Sequence, residues 1–95
     1  MICDLLRRGE QNAISMEDLS RLLNLSSRAC RKAVEAERLT GKLILSSERG
    51  YFLPGAGAAG RAEILRFQRR VSARIRAGQA VLRSSRRVLE GKGVE

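Results

Sequence analysis

The sequence predicts a mainly α protein with a small β-hairpin and one long C-terminal helix. Three observations carry that expectation. Two stretches of helical apolar spacing, ending near Asn24 and Leu39, are separated only by Leu25 and Ser26. Two β-prone triplets, Leu43-Ile44-Leu45 and Tyr51-Phe52-Leu53, flank the polar segment Ser46-Ser47-Glu48-Arg49-Gly50, which has the composition of a turn. Residues 61–90 are amphipathic throughout and contain neither Pro nor a cluster of turn residues.

Each element follows from its residues. Residues 1–8 place Ile2, Leu5 and Leu6 at helical spacing, and Gly9 reads as the stop of a short helix that needs tertiary support. Residues 11–14 suit a turn and a brief extended segment. Ser15 is the expected N-cap of the next helix, with Glu17 and Asp18 in its first turn, where carboxylates complement exposed N–H groups. Leu19, Leu22 and Leu23 form its expected apolar face, and Asn24 its left-handed stop. Ser26, or alternatively Ser27, is the expected cap of the following helix, whose Cys30, Ala33 and Val34 point inward and whose Arg28, Arg31, Lys32 and Glu35 point outward. Gly41 ends it, and Pro54 ends the second strand because it offers no ladder donor.

Gly55-Ala56-Gly57-Ala58-Ala59-Gly60 reads as a flexible linker spanning about 13 Å on average. The expected division is therefore residues 1–54, a linker at 55–60, and an Arg-rich helical segment at 61–95. A helix over 61–90 would be about 43 Å long. Gly91 is its expected stop, with 92–95 frayed. Its apolar residues Ile64, Phe67, Val71, Ile75, Leu82 and Leu89 share one stripe, the candidate oligomerisation surface, with packing of the stripe back on residues 1–54 as the alternative. Gln68, Gly78 and Ser85 complete an imperfect 4-3 repeat along it.

The chain of 95 residues has a net charge of +9, distributed unevenly. Residues 1–59 carry nine Lys/Arg and seven Asp/Glu, whereas residues 60–95 carry ten and three. The excess points to nucleic acid or another polyanion. Cys3 and Cys30 are far apart and there is no His, which excludes the usual Cys/His zinc spacings, and no cofactor is expected. Two widely separated thiols suit a reducing, cytoplasmic compartment. Neither a secretory leader nor a membrane span is expected. With no His, no nucleophile beside a base and no phosphate loop, the chain is not expected to be an enzyme.

Short helix, tight turn and second helix make a helix-turn-helix, and a following hairpin would be its wing. The run Ile14-Ser15-Met16-Glu17-Asp18-Leu19-Ser20-Arg21-Leu22-Leu23-Asn24-Leu25-Ser26-Ser27-Arg28-Ala29-Cys30, with Gly50-Tyr51-Phe52-Leu53-Pro54 after it, resembles the winged-helix DNA-binding domain of the biotin operon repressor. Similar domains occur in small bacterial and phage DNA-binding proteins. The resemblance covers about residues 1–54. It implies that the helix after Ser26 is the recognition helix, that Ser26, Ser27, Arg28, Arg31 and Lys32 face double-stranded DNA, and that Arg49 lies in the wing. Glu37 departs from the pattern, since the family has an apolar core residue there, which implies different packing at the end of that helix. No ligase domain is present, so no biotin chemistry carries over.

The function expected from this reading is double-stranded DNA binding, as a small transcriptional regulator or a phage-type DNA-processing factor. A homo-oligomer assembled through residues 61–90 would present paired recognition helices. The alternative is a protein–protein assembly module, since only +2 of the charge falls on residues 1–59. In that case Arg31 and its neighbours would be a solvated face with pairs such as Arg31 and Glu35.

Overall fold

The computed structural model describes residues 1–91. It contains helices α1 (Met16–Leu23) and α2 (Ser27–Leu39), a hairpin of strands β1 (Leu45–Ser47) and β2 (Gly50–Phe52), and a long helix α3 (Gly57–Leu89). The architecture is thus mainly helical with one two-stranded antiparallel hairpin, in agreement with the expected class. The frayed tail expected at 92–95 lies outside the described residues. Among those residues, no helix is long and apolar enough to cross a membrane.

Local chemistry sets the first two helices. The Ser15 hydroxyl accepts the Asp18 N–H at 3.1 Å, and the Ser26 hydroxyl accepts the Ala29 N–H at the same distance. Asn24 takes the left-handed conformation (φ 53°), and Leu25 N–H reaches back to the Ser20 carbonyl at 3.1 Å. The chain therefore turns within three residues and α2 packs across α1. Ser26→Ala removes the α2 cap and is expected to cost about 1 kcal/mol, read as a lower urea midpoint at unchanged slope.

Leu19, Val34 and Ile44 are fully or almost fully buried and form the core with Ile2 and Leu6. Cys30 is also fully buried, as expected of a small apolar thiol, with the Ser20 hydroxyl 3.6 Å from its sulfur. Leu22 departs from its expected place on the inner face and is 63% exposed. The buried stripe of α1 is too narrow to include it.

The N-terminal segment is not the expected helix. Only Ile2–Asp4 forms a 3-10 turn, and beyond it the chain is drawn out beside residue 53. Leu53 N–H donates to the Arg7 carbonyl and Gly9 N–H donates to the Leu53 carbonyl, both at 2.8 Å. An α-helix through Arg8 would forfeit those bonds. The departure at Glu37 is resolved here as well. Its buried carboxylate accepts the N–H groups of Ile2 and Cys3, the latter at 3.0 Å. It clamps the N-terminal turn onto α2.

The hairpin is displaced by two residues along its first strand. Pairing runs Leu45 with Phe52, Ser46 with Tyr51 and Ser47 with Gly50, leaving only Glu48 and Arg49 in the turn. Ile14 adds a bridge on the far side of β2: its N–H donates to the Tyr51 carbonyl and its carbonyl accepts the Tyr51 N–H, both at 2.9 Å.

Residues 55–60 are not the expected flexible linker. They make a close corner from which α3 begins at Gly57, four residues earlier than anticipated. Gly60 is buried against the backbone of Gly55, so that a Cβ on it would lie 1.8 Å from the Gly55 carbonyl oxygen. Glu63 fixes the corner. One carboxylate oxygen accepts the Gly55 N–H at 2.9 Å and the other the Glu10 N–H at 2.8 Å. Arg38 then ties α2, β1 and α3 together. Its guanidinium donates to the Ile44 carbonyl at 2.9 Å and to the Ser46 hydroxyl of β1 at 3.3 Å, and lies 5.0 Å from the ring centre of Phe67. The first half of α3 is therefore part of the packed body, and the second half projects from it.

Candidate nucleic-acid interface

Three elements bring arginines to one cleft. Arg31 comes from the middle of α2, Arg49 from the hairpin turn and Arg70 from α3. Together with Ser15, Met16 and Tyr51 they line a cleft of about 360 Å³, with Glu48 as the acid on its wall. Ser15 and Met16 are the start of α1, where free N–H groups and the positive end of the helix dipole favour an anion. Arg70 is held in place by a 2.8 Å bond from its guanidinium to the Ser46 carbonyl. Arg31 is exposed and, among the described residues, makes no ion pair. Glu35 pairs with Arg38 at 3.5 Å, so the Arg31–Glu35 pair considered above does not form.

The other candidate residues are placed as follows. Ser26 caps α2 and Ser27 opens it, both exposed. Arg28 and Lys32 are exposed on α2, Arg28 one turn before Arg31 on the same surface and Lys32 the next residue, turned about 100° around the helix. They flank the cleft and do not line it. Of the candidate DNA contacts, the cleft brings together Arg31 and Arg49.

Arg70 was not singled out for this role by the sequence. The signal that could have drawn attention to it is the run of α3 itself. Between Glu63 and Glu90 lie eight arginines with no Asp, Glu or Lys. Glu63 was passed over too. It lies three residues after Gly60 and four before Phe67, on the face of α3 that packs, where an unpaired acid would be costly. Its two backbone partners hold its carboxyl below the usual carboxylate range, against the opposing effect of burial.

The candidate oligomerisation residues divide into two groups. Ile64, Phe67 and Val71 are each half-buried. Ile75, Leu82 and Leu89 are exposed, at 55%, 54% and 87%. Compared with known protein families, curated proteins and solved structures, the chain matches none.

Proposed function

We propose that the chain is a double-stranded DNA-binding protein of the winged helix-turn-helix class. In this reading α1, the turn and α2 are the helix-turn-helix, α2 is the recognition helix and the β1–β2 hairpin is the wing. Arg28, Arg31 and Lys32 enter the major groove or reach its phosphate rims. Arg49 and Arg70 hold the backbone on either side. A planar guanidinium suits both tasks, since its paired donors match phosphate oxygens and the O6 and N7 acceptors of guanine. The observation that carries the reading is the convergence of Arg31, Arg49 and Arg70, from three elements, on one cleft beside the start of α1. A small bacterial or phage regulator, or a DNA-processing factor, would use such a surface in the cytoplasm.

The test is fluorescence anisotropy on a labelled DNA duplex across a salt series. Intact protein is expected to bind with an affinity that falls as salt rises. Replacing Arg31, Arg49 and Arg70 by Ala should reduce the slope of log affinity against log salt by about 3, roughly one per lost phosphate contact. Arg21→Ala is the control, because that side chain is already paired with Glu17 at 2.8 Å on α1. Unchanged binding by the triple variant would refute the cleft assignment. No binding by the intact protein at low salt would instead favour the assembly-module alternative.

A further inference from the structure

The half of α3 that leaves the body presents an apolar face that nothing among the described residues covers. Ile75, Val81, Leu82, Val88 and Leu89 on it are all more than half exposed. Gly78 lies in the middle of this face, and a Cβ there would meet nothing within 4 Å. A glycine inside an exposed helix weakens it relative to alanine, and no contact among the described residues requires one here. We propose that the occupant is a second copy of the same segment, packed antiparallel over residues 71–89 and centred on Ala80.

Side-chain size picks this arrangement. Along the seam, Val71, Ile75, Gly78, Leu82, Ser85 and Leu89 recur at alternating steps of four and three. Packed antiparallel about residue 80, Val71 meets Leu89 of the second copy, Ile75 meets Ser85 and Gly78 meets Leu82. Every layer then joins a large side chain to a smaller one, which keeps the helices evenly spaced. A parallel pair would stack Gly78 on Gly78 and Leu82 on Leu82, alternating voids with crowding.

Charge picks the same occupant and orientation. In the antiparallel register Arg74 lies opposite Val88 and Arg86 opposite Ser72, while Val81 meets Val81 and Gln79 meets Gln79. No arginine faces an arginine across the seam. The remaining six, Arg66, Arg69, Arg70, Arg76, Arg83 and Arg87, fall on the outer faces of the helix. The dimer places the two bodies at opposite ends of the paired helices and keeps those six arginines off the seam. It does not depend on whether the protein binds DNA.

Light scattering on the full chain, in salt high enough to screen the arginines, should give twice the 10.5 kDa chain mass. Leu82→Asp should give a monomer with unchanged hydrogen-exchange protection in the hairpin and core, since Leu82 lies exposed on the half of α3 that projects from the body. Gly78→Leu separates this seam from general stickiness: it adds apolar surface and helix propensity, yet it should weaken the dimer by meeting Leu82 of the second copy. In a Cys3→Ser background, Val81→Cys should form an interchain disulfide readily and Leu82→Cys slowly. A monomer at every concentration, a tighter dimer with Gly78→Leu, or faster cross-linking through Leu82→Cys would each overturn the proposal.

Discussion

Gly50→Ala is expected to lower folding stability by about 4 kcal/mol and the melting temperature by roughly 20 °C. Two causes add. Gly50 has φ +127°, a region that side chains other than glycine rarely enter. A Cβ there would also lie 2.1 Å from the carbonyl oxygen of Ile14, so backbone must move. The backbone that moves is the Ile14–Tyr51 bridge, whose two hydrogen bonds lead directly into the Ser15 cap of α1. A small domain holds only about 5–15 kcal/mol in total, so the loss is a large share. Gly41→Ala separates the causes. Gly41 has φ +96° but no neighbour within 4 Å, so it carries the conformational cost alone, about 1–2 kcal/mol. Thermal melts followed by circular dichroism give both values. Equal losses at the two positions would show that the approach of Ile14 to the hairpin is not what demands glycine.

The same residues mark how far a sequence reaches. Ser15, Asn24, Ser26 and Gly41 were legible as starts and stops, because each acts on backbone groups within a few positions of itself. The hairpin was legible as an event but not in register. Propensity favoured Leu43 and Ile44 as strand, whereas pairing is fixed by the two-residue turn at Glu48-Arg49. The bridge from Ile14 and the parallel contact of Arg8 with Leu53 left no local trace, since each partner is decided by the fold. Leu22 shows a different limit: periodicity gives the direction of a helix face but not how wide a strip its neighbour covers. For the candidate interface, Arg31 and Arg49 could be named from their elements. Arg70 joins them only because Gly60 and Glu63 set α3 across the hairpin, and residues 55–60 looked like the place where such coupling would be lost.

Glu37 and Glu63 are expected to make the fold sensitive to acid. Both are buried acids on helices, and each accepts two backbone N–H groups, Glu37 from the N-terminal turn and Glu63 from Gly55 and the distant Glu10. For Glu37, burial raises the carboxyl's pKa, but the bonds from Cys3 and Ile2 outweigh it and leave it lowered; Glu63 is lowered by the bonds from Gly55 and Glu10 despite burial. A carboxyl that holds its proton less tightly in the folded state gives stability that is complete above the unfolded value, about 4.3. That stability is lost as pH falls through the lower folded value, because the unfolded chain then binds more protons. Urea midpoints should thus be level near neutrality and decline below about pH 4. Glu63→Gln retains the shape but offers one acceptor where two N–H groups need one each, and should cost about 2 kcal/mol at neutral pH. Glu37→Gln should do the same at the N-terminal turn. Their consequences differ in space: loss of the Glu63 clamp frees the corner at Gly55 and the base of α3, so hydrogen exchange should quicken there and at Glu10 before the core around Leu19 is affected. A doubly substituted protein that still declined in acid as steeply as the native chain would place the acid sensitivity in other carboxylates. A shallower decline would identify these two buried acids, 26 positions apart on α2 and α3, as the groups that join both ends of the body to its core.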